Sequence, residues 1–106
     1  MAAPQPLFNE LIHAPSRLQI CAMVAPVEAL DFATVREALA VSDSALSKHI
    51  RVLADAGYLR TSKTAHASRT RTWITLTDSG REALNAHLAE LHRIAAMADC
   101  LAGSSE

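Results

Sequence analysis

Large aromatic side chains are scarce in this chain: two phenylalanines, one tyrosine and one tryptophan among 106 residues. Half of the residues are hydrophobic, so Leu, Ile, Val and Ala must build the core, a composition that favours helices. Three glycines leave no room for a glycine-rich phosphate loop. No Ser, His and acid set stands in a recognisable catalytic motif, so the chain reads as a non-enzyme without a cofactor. No apolar run approaches the ~20 residues that cross a bilayer, so no membrane partner is expected. The amino-terminal MAAPQPLFNELIHAPS has neither the basic nor the apolar region of a secretion signal, and a cytoplasmic location is the expectation. Cys21 and Cys100 stand far apart in apolar helical contexts, as reduced structural thiols do in such a compartment. The length suits one domain over residues 1–106 with one modest core.

Net charge is also nearly absent, at −1, yet its distribution is uneven. Residues 1–41 sum to −2, residues 42–73 to +4 and residues 74–106 to −3. A local basic surface on an otherwise acidic chain is an electrostatic footprint for phosphates. The same segment holds a two-faced helix predicted over residues 43–56. Leu46, Ile50 and Leu53 recur on one side at helical spacing. Ser44, Ser47, Lys48 and Arg51 recur on the other. A helix buried on one face that offers serines and cations on the other suits the DNA major groove.

Punctuation along the chain organises the rest. Residues 1–6 carry two prolines and read as a frayed tail. A short helix is expected over Phe8 to His13, stopped before Pro15. Ser16 precedes an apolar run, with Leu18, Ile20, Cys21 and Val24 on its inner side and Pro26 at its end. Ala29 to Phe32 suits a brief strand. Thr34 is the expected N-cap for a helix to Leu39, with Glu37 completing a capping box. Ala40-Val41 makes a turn, Ser42 caps the two-faced helix, and Gly57 stops it. Two helices joined by a short turn form a helix-turn-helix unit, with the second as recognition helix. Tyr58 to Thr61 reads as a strand. Thr72, Ile74 and Leu76 alternate with Arg71, Trp73 and Thr75 as a half-buried strand does. A loop from Lys63 to Arg69, with His66 inside it, joins the two. A hairpin over residues 59–76 directly after a recognition helix is a wing, which meets backbone or minor groove. Thr77 caps a last helix over residues 78–101, with Asp78 at its positive end. Leu84, Leu88, Leu91, Ala95 and Ala98 follow at spacings of 4, 3, 4 and 3, the seam of a coiled coil, and Ile94 and Leu101 widen it. The predicted fold is mainly α with a small β-hairpin: a winged helix-turn-helix with a C-terminal dimerisation helix. The seam admits two uses, a homodimer interface or packing on the domain's own body.

Three stretches carry a family resemblance: HAPSRLQI, LSKHIRVLADAGYL and RTRTWITLTDSGREAL. The spacing Leu-Ser-x-His-Ile-x-x-Leu-x-x-Ala-Gly-Tyr over Leu46 to Tyr58, joined to Leu-Thr-x-x-Gly over Leu76 to Gly80, is similar to that of small bacterial winged-helix transcriptional regulators of the MarR-like kind. Arsenic-repressor-like relatives are more distant. The resemblance spans roughly residues 10–95. It implies a homodimeric repressor or activator on double-stranded DNA, with an inverted-repeat operator. The recognition helix would carry Ser44, Ser47, Lys48 and Arg51, and the wing Lys63, Arg69 and Arg71. No small-molecule effector is named by any motif.

Other uses of the same residues stay in view. A winged helix can serve as a protein-interaction module without DNA, in which case the stripe 44, 47, 48, 51 would be buried against protein. His49 lies beside the recognition face and suits either a phosphate or the preceding helix. His87 and Glu90 match a fragment of a metal-binding pattern found in some regulators, but its upstream ligands are missing, and His92 and Asp99 do not complete a set. No metal site is therefore assigned, and these side chains are expected as solvated flanks of the seam.

Overall fold

The computed structural model describes residues 4–104. In chain order the elements are α1 (Glu10–His13), α2 (Pro15–Val24), β1 (Leu30–Asp31), α3 (Phe32–Leu39), α4 (Asp43–Asp55), β2 (Leu59–His66), β3 (Arg69–Leu76) and α5 (Asp78–Ser104). Residues 1–3 of the expected tail lie outside the described residues; Pro4 to Pro6 are exposed, and the Leu7 N–H donates to the Ala86 carbonyl oxygen at 3.0 Å.

Most helix ends follow local chemistry. α2 begins at Pro15, one residue before Ser16, because a proline's fixed φ and missing N–H suit the first helical position. α3 begins earlier than expected. Its cap is Asp31, whose carboxylate accepts from the Ala33 N–H at 3.3 Å, and Thr34 lies inside the helix. The reason is tertiary: β1 pairs with β3, which holds Asp31 extended at the position where the helix starts. α4 is capped by Ser42, whose hydroxyl accepts from the Ala45 N–H at 3.1 Å. It closes with a Schellman motif, Tyr58 N–H to Leu53 C=O and Gly57 N–H to Ala54 C=O, both at 2.9 Å, with Gly57 at φ +85°. The turn between α3 and α4 closes in the same way on Arg36 and Glu37, but its left-handed residue is Ala40, at φ 54°.

The sheet is antiparallel, in the order β1-β3-β2. The hairpin strands are longer than expected. They pair from Leu59↔Leu76 to His66↔Arg69, so Lys63 and Arg69 lie in strands, and the connection shrinks to Ala67-Ser68. Ala67 takes φ 59°, as a two-residue hairpin turn demands of its first residue.

The core joins all the layers: Ile12, Ile20, Cys21, Val24, Val35, Leu46, Ile50, Leu53, Leu59, Ile74, Leu76 and Leu84. Burial pushes the Cys21 thiol up to about 11, so it stays protonated at neutral pH, as a packing residue does. Among the described residues no helix is long and apolar enough to cross a membrane.

One corner ties α4, the hairpin and α5 together. The Thr77 hydroxyl donates to the Gly57 carbonyl oxygen at 2.6 Å and accepts from the Gly80 N–H at 2.9 Å. The Thr77 N–H donates to the Tyr58 carbonyl oxygen at 3.0 Å. A Cβ at Gly80 would fall on that same Tyr58 oxygen and within 2.8 Å of Leu76 Cδ1. Gly80→Ala should therefore destabilise by about 1–3 kcal/mol, although alanine favours a helix by about 1 kcal/mol elsewhere. Ala40→Gly should stabilise by about 0.5–1 kcal/mol by relieving the left-handed backbone. Denaturant midpoints at unchanged m-value check both.

Candidate nucleic-acid interface

α4 buries Leu46, Ile50 and Leu53 and exposes Ser44, Ser47, Lys48 and Arg51. The two faces read from spacing are the two faces of the folded helix. Its first turn is held from outside the helix: Arg36 of α3 donates to the Asp43 carboxylate at 2.8 Å. That hydrogen bond holds the Arg36 guanidinium still more firmly protonated and leaves Asp43 partnered beside the serines of the stripe. Nothing in the residue pattern pointed to Arg36, because the contact spans the α3–α4 turn.

Opposed residues of an antiparallel pair share a face, so the register divides the hairpin cations. Lys63 opposes Thr72, and Thr61 opposes Ile74, on the side of α4. These side chains and α4 enclose an open cleft of about 470 Å³. Its floor is Phe32, Ile50 and Ala54, and its walls are Ser47 and Arg51 against Thr61, Lys63 and Thr72. Arg71 stands opposite Thr64, and Arg60 opposite Thr75, on the outer side. There the Trp73 indole N–H donates to the Thr64 hydroxyl at 3.0 Å, and Arg71 lies 3.8 Å from Asp31. Arg69, opposite His66 at the turn, belongs to this outer face by register. The structure thus gathers Ser47, Arg51 and Lys63 around one cleft and sets Arg69 and Arg71 on the far side of the wing. Arg60 joins the outer face; the charge count included it, but its side of the sheet depends on register.

His49 is half-buried, with Nδ1 3.5 Å from Arg17 of α2, whose Nε donates to the Leu11 carbonyl oxygen at 2.6 Å. His87 corrects an expectation. It is no solvated flank of a seam: it is fully buried, bonded to Asn9 and His13. Glu90 does not converge with it, because both carboxylate oxygens accept from Arg93 at 2.7 Å. That hydrogen-bonded pair lowers the Glu90 pKa from the usual carboxylate value. Among the described residues no three His, Cys, Asp or Glu side chains gather as a metal site. His92, Asp99 and the free thiol of Cys100 are exposed.

The α5 stripe is divided. Leu84 is 2% exposed in the protomer's own core and Leu88 packs against that core, so these two serve the domain's own body. Leu91 is half-buried, Ala95 and Ala98 are exposed, and Ile94 and Met97 stand 44% and 51% exposed. The side chain of Leu101 lies outside the described residues.

A family model described as winged helix DNA-binding domain matches residues 16–95. The chain is 27% identical over 94 residues to an uncharacterised protein of Methanocaldococcus jannaschii, covering 89% of this chain and 98% of that one. It superimposes on a transcriptional regulator homologue from Pyrococcus horikoshii with TM-score 0.80 and 30% identity, over 86% of this chain and 90% of that one. The zinc-responsive MarR family member ZitR of Lactococcus lactis shares the fold at TM-score 0.59 and 20% identity, over 84% of this chain and 60% of that one.

Proposed function

The chain belongs to the winged helix DNA-binding domain family, and from that premise we propose that it is a sequence-specific regulator of transcription that binds double-stranded DNA as a homodimer. The observation that carries this reading is the exposed stripe Ser44, Ser47, Lys48 and Arg51 on α4, with Lys63 facing it across the cleft. α4 enters the major groove, where serine hydroxyls and an arginine fork meet base edges. Lys63, across the cleft from Arg51, grips the sugar-phosphate strand that runs between helix and wing. Arg69 and Arg71, on the outer face, meet backbone or minor groove beyond it. A protein-interaction module without DNA would not need this Ser/Lys/Arg stripe and a cationic wing together. In the dimer, Leu91, Ala95 and Ala98 meet their copies, joined by Ile94 and Met97, while Leu84 and Leu88 stay in the protomer core. Two-fold pairing sets the recognition helices about one DNA turn apart, roughly 34–36 Å, and calls for an inverted repeat.

Arg51→Ala should weaken specific binding by about 1–3 kcal/mol and relax preference at one base position. Arg69→Ala should weaken binding to all sequences alike. Anisotropy titrations on selected and scrambled duplexes separate the two effects; unchanged affinity in both folded variants rejects the assignment. The logarithm of affinity should fall steeply with the logarithm of salt, with a slope of about −7 if four cations per subunit meet phosphate.

Ile94→Glu with Met97→Glu should convert a sedimenting dimer into a folded monomer, since neither side chain serves the protomer core. A wild-type monomer at micromolar concentration rejects the dimer. A selected site without two-fold symmetry rejects the paired-helix arrangement.

A further inference from the structure

His87 is the only buried polar or charged side chain among the described residues, and both of its ring nitrogens are engaged. Nδ1 lies 3.0 Å from the backbone N–H of Asn9. A backbone N–H can only donate, so Nδ1 is the bare acceptor and the single ring proton sits on Nε2. Nε2 lies 3.0 Å from Nδ1 of His13 and donates to it. His13 Nδ1 is therefore bare too. The hydrogen bonds run in one direction, from Asn9 to His87 to His13, and both rings are neutral.

This chain of bonds fastens the front of a segment whose Leu11 and Ile12 are held separately by the core. Asn9 caps α1 by accepting from the Ile12 N–H at 2.9 Å, and its Nδ2 donates to the Tyr58 hydroxyl at 3.0 Å. Phe8 packs against both imidazoles, tilted on His13 and edge-to-face with His87, at ring-centroid distances of 4.7 and 4.8 Å. Residues 7–13 are thus pinned to α5 and to the residue that ends the recognition-helix turn. The cluster has no place for a second proton. A proton on His87 Nδ1 would face the Asn9 N–H, and one on His13 Nδ1 would face the His87 Nε2–H. Either breaks a bond of the chain.

We propose that His13 and His87 form a proton-sensitive latch: neutral, they hold residues 7–9 on α5, and uptake of one proton releases that stretch and its link to Tyr58. The latch stands independently of the DNA-binding reading. The ionisable groups around it are few. His13 comes from α1, Tyr58 from the corner after α4, and Glu90 from α5, where it is occupied by Arg93. Arg17 of α2 is turned to the Leu11 carbonyl oxygen and His49. Burial, then His13, hold the His87 pKa below its ordinary 6.5, against an opposing pull from Glu90. With a folded value below the unfolded one, the stability His87 contributes is complete above about 6.5. It declines below that point and is lost as pH falls through the lowered folded value.

The test uses the full chain labelled with ¹⁵N. At neutral pH, imidazole correlations should show His87 and His13 both as Nε2–H tautomers. Exchange protection of the Leu7 and Asn9 amides, corrected for intrinsic rates, should fall by about tenfold per pH unit once His87 titrates, while amides of α2 and α4 stay protected. His87→Gln keeps an acceptor and a donor without a titration, and should retain protection at neutral pH while losing most of its acid dependence. Should that variant not fold, His13→Gln, at an exposed position, should move the pH at which Asn9 protection is lost. An Nδ1–H tautomer of His87, Asn9 protection that is flat from about pH 5 to 8, or a wild-type pH profile in either folded variant overturns the latch.

Discussion

The carbonyl oxygen of Tyr58 is the point on which the architecture turns. It accepts the Thr77 N–H at 3.0 Å, so the start of β2 and the end of β3 are tied one residue beyond the last hairpin pair. The Tyr58 N–H, in turn, closes α4 on Leu53 at 2.9 Å. Thr77 adds a hydroxyl bond to Gly57 and caps α5 through Gly80. Only a residue without a Cβ lets α5 approach that oxygen closely enough. Helix, hairpin and long helix thus share one rigid joint, and the angle of α4 relative to the wing and α5 follows from it.

From that joint the hairpin projects as a ribbon whose pleat distributes charge. Successive side chains alternate between the α4 side and the outer side. Lys63 consequently shares a cleft with Arg51, while Arg71 is drawn toward Asp31 and stands beside Trp73. Asp31 has a double part. It caps α3 and it restrains an arginine of the wing, so the strand pairing that places it connects the helix-turn-helix to the wing. A surface of cations counted along the chain becomes two surfaces with different neighbours.

The long helix also serves two ends. Its first turns are buried by the protomer, through Leu84, Leu88 and the fully enclosed His87. Beyond Leu91 its described side chains are exposed, Ile94 and Met97 most prominently among the large apolar ones. Exposed apolar groups of this size on a helix extending past its own core form the kind of surface that associates. The buried histidine at the root of the helix is satisfied on both nitrogens, so it is stable there only as a neutral ring.

Features that depend on neighbours three or four residues apart were legible in the chain itself. The apolar and polar stripes of α4, the Ser42 and Thr77 caps, the Gly57 stop and the alternation at Thr72 to Leu76 each arise from local spacing and local hydrogen bonds. Those signals sufficed for a winged helix-turn-helix and for the exposed stripe Ser44, Ser47, Lys48 and Arg51. Tertiary structure decided what local spacing leaves open. Pairing of β1 with β3 moved the α3 cap from Thr34 to Asp31, and hairpin register chose a side for each wing cation. Packing against α1 and α2 took Leu84 and Leu88 out of a uniform seam and enclosed His87, which spacing alone made a solvated residue. Each of these outcomes depends on a partner tens of residues away, and side-chain periodicity specifies a helix face without specifying what will cover it.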